Sequence, residues 1–473
     1  MNSNSDFPNF HDPGNSFTAH HGALPPMTSM AYPEGSFGLP DPDELRFNEG
    51  HAGGAANEHG REHMMSITES TTLALGSEFE NLMVSRGQQE NSCDLPHDPT
   101  ATGGATPQPI PDEVYPAFID PGVTRPKEMV IRYGTNEPVE TMVDVVRRDA
   151  PSQTYMRIDS FKPIPLRHGN GPDWGKLYLG YILPRVDTGS VTGPAVFREP
   201  SEDEAQRVAI KRLVKSVLAA CQNEAEDPEK EIFRMKTIGD SYHVLECVEA
   251  LEDDRYLYII SPFAEEQTLV EKIIQPETTA RIIFRQLLED LHYLHKKHRI
   301  CHRDISPGNC LVHKGRILLN DLAMSHLIPL NSGGWVHPFG RWGKPPYWTP
   351  ESFIARQPVH AESSDVWAAV IVLFNLLTGC NLYELPHVED RVFRFFIFCG
   401  GFSPERNPLA QRAWEELQDM EERRNLLLVV QILQRIQNLS MEVRELFYMV
   451  LRVNPHERWN LEQILSCRWM TQQ

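Results

Sequence analysis

The chain has 473 residues, 40% hydrophobic and 23% charged, with a formal net charge of -20. That acidity argues against a broad nucleic-acid surface, which needs clustered Lys and Arg. "MNSNSDFPNF" lacks the basic flank of a secretory signal, the longest apolar run (Val366 to Leu377) is too short to span a bilayer, and the eight cysteines show no paired metal-ligand spacing, so the expectation is an intracellular protein of cytoplasm or nucleus, with no membrane partner.

In chain order, residues 1–110 come first. They are poor in large apolar side chains and rich in Gly, Pro, Asn, His and Ser, as in "HAGGAANEHG". Such a segment cannot bury enough surface to offset its ordering entropy, so a disordered low-complexity tail is expected. Residues 111–175 form a short extension of uncertain structure. There "EMVIRY" and "ETMVDVVRR" read as strands and "IPLRHGNGPDWG" as loop.

From 176 to 470 regular elements are dense. "KLYLGYIL", "PAVFREP", "QRVAIKRLV" and "RYLYIIS" read as strands. "DPEKEIFRMKTIG" reads as a helix bounded by Asp227 and Gly239, and "TTARIIFRQLLEDLHYLHKKH" as a long amphipathic helix with Ile283, Leu287, Leu291 and Leu294 along one face. Beyond Asp321 an irregular Gly/Pro-rich stretch leads into helices only, beginning with the all-round apolar "SDVWAAVIVLFNLLTG". A strand-rich lobe followed by a helix-rich lobe predicts a ligand cleft where they join.

The polar residues at that junction suit phosphoryl transfer. That chemistry asks for a donor held in line, neutralised phosphate charge and an oriented attacking hydroxyl. Lys211 lies in the strand "VAIKRL", where its stem can cover apolar surface while its amine reaches the cleft. Glu231 lies on the next helix and can fix that amine. Asp304 and Asn309 flank a short loop, and Asp321 follows the apolar run "RILL", a rigid position suited to holding a metal.

These residues carry a resemblance. The segment from 176 to 470 resembles the eukaryotic protein kinase family, and the wording "HRDIS..N" is similar to a divergent fungal group within it. "VAIK" looks like the phosphate-anchoring strand, "HRDISPGN" like the catalytic loop and "NDLA" like the metal-binding triplet. "TPE" resembles the close of the activation segment, "SDVWAAVIVLFNLLTG" the central helix and "NPHERW" a late structural loop. The resemblance implies an α+β, two-lobed fold, with a small antiparallel β-sheet lobe and a larger helical lobe. It implies an enzyme binding ATP and Mg²⁺ and transferring the γ-phosphate to a protein hydroxyl, Ser/Thr favoured over Tyr.

By the same resemblance Asp304 is the catalytic base, Lys211 the phosphate anchor, Glu231 its partner, and Asn309 and Asp321 the magnesium ligands. Gly189, Val196, Ala209, Phe263, Ala264 and Leu311 surround the nucleotide, with Ser261 as a small gatekeeper. Asp365, Glu351 and Arg458 are structural. Arg303 is placed to pair with a phosphorylated activation segment, for which Ser332 is the regulatory candidate. Protein substrate and oligomeric state are not legible.

Several positions depart from the family. In "GSVTGPAV" only Gly189 is in register with the glycine-rich phosphate loop, and Pro194 has no N–H to offer a phosphate. Ala323 replaces the triplet's glycine, with Leu322 as the packing residue. Ser306 stands where serine/threonine members carry a lysine, and Lys344 where they carry threonine. Lys344 is therefore expected to restore some of the charge lost at 306. The broken phosphate loop keeps open a pseudokinase, a regulatory or scaffold module without catalysis. A small-molecule kinase is disfavoured by the segment closed by Glu351 and Arg458.

Overall fold

The computed structural model describes residues 118–131, 138–147, 154–157, 162–166, 173–186, 196–220, 227–272, 274–336, 343–354, 358–403, 406, 411 and 427–472. All lie in the unit Met65–Gln473. The expected tail at 1–110, and Gly189 with most of its loop, lie outside the described residues.

The strands come first. They are β1 (Asp120–Ile131), β2 (Pro138–Arg147), β3 (Thr154–Arg157), β4 (Ile164–Leu166), β5 (Gly175–Leu183), β6 (Arg185–Val186), β7 (Val196–Arg198), β8 (Arg207–Val214), β9 (Glu249–Glu252) and β10 (Tyr256–Pro262). The heart of the small lobe is antiparallel: β5 pairs with β8, β8 with β10 and β10 with β9. Along β8, Val208 and Ile210 are buried on one face of the sheet, while Leu213, of the other parity, is buried in the main core.

The sheet is larger than the sequence suggested. β2 joins β3 and β3 joins β5, while β1 pairs with β2 and runs parallel to β9. Followed strand to strand, β1, β2, β3, β5, β8, β10 and β9 return to β1. The extension is thus part of the sheet rather than an appendage. "IPL" is also a strand, paired with Gly175–Leu177, and not loop. Its Pro165 suits the edge position it occupies, where a missing N–H costs no ladder bond.

The helix Pro228–Ile238 starts where the sequence indicates. Asp227 accepts from the amides of Glu229 and Lys230 at 3.0 and 3.1 Å, Pro228 needs no donor, and Gly239 ends the helix at φ 69°. Such a cap contributes about 1 kcal/mol.

In the helical lobe, Glu277–His292 buries Ala280, Phe284, Leu287, Leu288 and Leu291, then continues as a π turn that Arg299 ends in the left-handed region. Ile283 packs only partly against the core, so the buried stripe lies slightly around the helix from the expected face. The helix Ala361–Thr378 meets length and composition limits for a membrane span, yet it is buried on nearly every side by the lobe's own core. That accounts for its lack of a polar face. Each large side chain there, such as Trp367 or Phe374, contributes about 1.5–3 kcal/mol by burial.

Where the lobes meet, His243 Nδ1 lies 2.8 Å from Asp290 Oδ1, Arg316 donates to the same oxygen at 3.0 Å, and Tyr293 stacks on His243. Asp290 is fully buried, and its other oxygen has no hydrogen-bond partner. Burial raises the Asp290 carboxyl to about 7, against the pull of His243 and Arg316. The fold therefore favours the protonated acid. That stabilisation is complete below the acid's ordinary pKa and is lost as pH rises through about 7. Melting curves from pH 4 to 8 should show Asp290→Asn losing less stability over that range than the unaltered chain.

Candidate active site

Lys211 faces the cleft because β8 turns Ile210 to the core and Lys211 the other way, opposite Ile259 and Leu177. Its Nζ donates to Glu231 Oε2 at 2.7 Å and lies 3.9 Å from Asp321 Oδ1. Glu231 is buried, so the capped helix holds the carboxylate at a fixed height under the amine. The Trp174 ring stands 5.7 Å from the Lys211 ammonium, a contact that no spacing in the sequence pointed to.

The catalytic-loop residues hang from one buried carboxylate. Asp365 Oδ2 accepts from the His302 amide at 2.7 Å and is 2.8 Å from His295 Nε2, while Oδ1 accepts from the Arg303 amide at 2.8 Å. Burial alone would raise the Asp365 acid. The His295 hydrogen bond and nearby positive charge hold it below the ordinary value instead. His295 was missed from the sequence, although "YLH" placed it on a recognisable helix end. His302 is a packed, fully buried ring. Its Nε2 lies 3.0 Å from the Asn320 carbonyl and its Nδ1 accepts from the Asp304 amide. Those two bonds require the neutral ring with its proton on Nε2.

Asp304 and Asn309 meet directly, the Asn309 amide donating to the Asp304 carbonyl and to its Oδ2 at 2.8 and 2.7 Å. With the amide nitrogen so used, the Asn309 oxygen is the atom left for a cation. The Asn320 amide donates to the Asn309 carbonyl at 2.9 Å, which brings Asp321 beside it. Asp321 has φ 66°, and Ala323 is not among the positive-φ residues. The left-handed residue of the triplet is thus the aspartate, so alanine at 323 meets no backbone penalty in this conformation. Burial works to raise the Asp321 acid, but the ammonium groups of Lys211 and, more weakly, Lys344 hold it below the ordinary carboxylate value. One carboxylate and one amide oxygen are hard donors of the kind Mg²⁺ takes, with phosphate and water completing its shell. No cluster of three or more His, Cys, Asp or Glu suited to a metal occurs among the described residues.

On the adenine side, Ala209 sits opposite Ser261, and Leu311 bridges Thr268 in the lower lobe. Ser261 is buried. The Phe263 amide is taken up by the Arg207 carbonyl at 3.2 Å, so Phe263 cannot offer its N–H to a base edge. The candidate donor to a base edge here is then the Ala264 amide. Val196 begins β7, but its side chain lies outside the described residues, as does Gly189.

The structural residues are brought together. Arg458 grips Glu351 with both guanidinium nitrogens at 2.7 and 2.8 Å, both residues being buried. Of the activation-segment hydroxyls, Ser325 and Thr349 are buried. Ser332 is half-buried in a turn, donating to the Pro329 carbonyl at 3.0 Å. Lys344 also reaches the catalytic loop, with its Nζ 2.8 Å from Asp304 Oδ2 and 3.1 Å from Ser306 Oγ.

Comparison with known proteins agrees with this geometry. The protein kinase domain family model matches residues 188–470. Serine/threonine-protein kinase CHK1 of Saccharomyces cerevisiae is 32% identical over 177 residues, covering 36% of this chain and 33% of that protein. Probable serine/threonine-protein kinase HSL1 of the same yeast is 31% identical over 246 residues, covering 50% of this chain and 13% of that protein. CBL-interacting serine/threonine-protein kinase 7 of Arabidopsis thaliana is 23% identical over 300 residues, covering 62% and 60%. The chain thus spans a third or less of the two yeast relatives.

Proposed function

Because the chain belongs to the protein kinase family, we propose that it transfers the γ-phosphate of ATP to a protein hydroxyl, serine or threonine in preference to tyrosine. The observation that carries this reading is Lys211 Nζ lying 2.7 Å from Glu231 and 3.9 Å from Asp321. An amine, its fixed partner and a cleft carboxylate meet across the two lobes.

Lys211 would bind oxygens of the ATP phosphates, its charge held in place by buried Glu231. Asn309 and Asp321 would hold Mg²⁺, which when bound neutralises phosphate charge and aligns the donor. Asp304 would accept a hydrogen bond from the substrate hydroxyl, turn a lone pair of that oxygen towards the phosphorus, and take up its proton as the bond forms. Asp365 fixes the loop that carries Asp304. Ala209 and Leu311 would sandwich the adenine, and the Ala264 amide would donate to its edge. Ser332 remains the candidate for regulation by phosphorylation.

The test is transfer of radiolabelled phosphate from ATP–Mg²⁺ to a generic protein substrate, run beside Asp304→Asn. The variant should lose about 10²–10⁴-fold in kcat, the range for removing a positioned acid–base group. No transfer by the unaltered chain, together with no thermal shift on adding ATP–Mg²⁺, would point instead to a binding module.

A further inference from the structure

We propose that Lys344 carries the cation that steadies the transferring phosphoryl group, in place of the side chain at 306. This rests on the kinase reading above. Lys344 touches Asp304 twice: its backbone amide donates to Oδ1 at 3.2 Å and its Nζ to Oδ2 at 2.8 Å. The same Nζ is 3.1 Å from the hydroxyl of Ser306, which is buried and uncharged. The backbone is shaped for this approach. Gly343 has φ 81°, and a Cβ there would lie 2.7 Å from the Arg303 carbonyl and 3.0 Å from Asp304 Oδ1. Only glycine lets residue 344 come so close to the loop.

Lys344 is not confined to one partner, since its ammonium reaches both Asp304 and Ser306. Its side chain is about half exposed, at 50%, and hence not locked into a desolvated pair with Asp304. An ammonium beside the carboxylate that would orient the substrate hydroxyl lies where negative charge builds in phosphoryl transfer. As P–O(leaving) breaks and P–O(substrate) forms, the proton passes from the hydroxyl to Asp304. The Lys344 ammonium keeps all its protons and only neutralises charge.

Its place on the chain gives the charge a condition. Lys344 lies on the segment between Asp321 and Glu351, not on the catalytic loop. Base and cation are therefore assembled together only when that segment is docked against Asp304.

The test uses the full chain and four forms: unaltered, Lys344→Met, Lys344→Thr and Lys344→Thr with Ser306→Lys. Transfer kinetics and calorimetric affinities for ATP–Mg²⁺ and ADP–Mg²⁺ are both read. Lys344→Met and Lys344→Thr should lower kcat by roughly 10²–10³-fold, the effect of losing one preorganised charge-stabilising group. Each should also shrink the preference for ATP over ADP by about tenfold, one ionic contact to the outermost phosphate. The double variant should regain at least about tenfold in kcat and recover the ATP preference. An unchanged kcat or an unchanged ATP:ADP ratio in both single variants overturns the assignment. If the unaltered chain binds nucleotide without transferring phosphate, the kinase reading fails and the affinity ratio alone decides for or against Lys344. If it binds no nucleotide, both fall.

Discussion

Replacing Asp321 by asparagine should abolish measurable phosphotransfer while leaving the chain folded. Asparagine is among the few residues that accept the left-handed backbone of this position, at φ 66°. The substitution therefore removes the charge and keeps the local geometry, which alanine would not. What is lost is the carboxylate that faces Lys211 at 3.9 Å and that, with Asn309, would supply the oxygen donors for Mg²⁺ under the proposed function. An amide binds the ion far more weakly, so raising Mg²⁺ should not restore the rate. A fall of at least about 10³-fold in kcat is expected, since the donor phosphate is then neither neutralised nor aligned. The pH behaviour supplies a second check. The Asp321 acid is depressed in the fold, so its stabilising effect is present above the ordinary carboxylate pKa and is lost as pH falls through the lower folded value. Asp321→Asn should be somewhat less stable than the unaltered chain at pH 7 and no less stable at strongly acid pH. Transfer by the asparagine variant at more than a tenth of the unaltered rate would remove Asp321 from the mechanism.

The largest stability effect should come from Arg458→Ala. The guanidinium makes a two-pronged contact with Glu351, donates to the Arg452 carbonyl at 2.8 Å and lies 4.6 Å over the Trp367 ring. Both side chains are almost fully buried, at 1% and 4% exposure. Removing one partner strands the other charge in a place where water cannot reach it, at a cost of about 3–5 kcal/mol. In a domain of this size the melting temperature should drop on the order of 10 °C. Replacing both residues with apolar side chains of similar volume should cost less than the single change, because no unpaired charge is then left behind. If Arg458→Ala melted within about 2 °C of the unaltered chain, the buried pair would not be holding the activation segment to the lobe.

Most of the cleft was readable because its chemistry is local. Asp304, Asn309 and Asp321 lie within one short stretch of chain, and Lys211 sits in a strand whose alternation is plain. Glu231 follows on a helix whose caps announce themselves. What the sequence hid was set by contacts distant along the chain. Asp290 sits in the middle of an amphipathic helix, and nothing local indicates that His243 and Arg316 close over it. His295 looked like an ordinary helix-end residue until Asp365 arrived from across the lobe. The hydrogen bond that occupies the Phe263 amide depends on the register of β8 against β10. Likewise, β1 to β3 were legible as strands, but not their partners, since pairing is decided by register and closure rather than by composition.

The return of the sheet to β1 has a practical bearing on where this protein can be cut. The family match begins at residue 188, after β5. A recombinant fragment trimmed to that boundary would discard the strand that pairs with β8 from Gly175 to Tyr181, and with it β1 and the two strands, β2 and β3, that join β5 to β1. It would bare unpaired amides and carbonyls along both β8 and β9, the kind of open rim on which molecules stick to one another. Such a fragment should precipitate during purification, whereas one starting ahead of Phe118 should stay in solution.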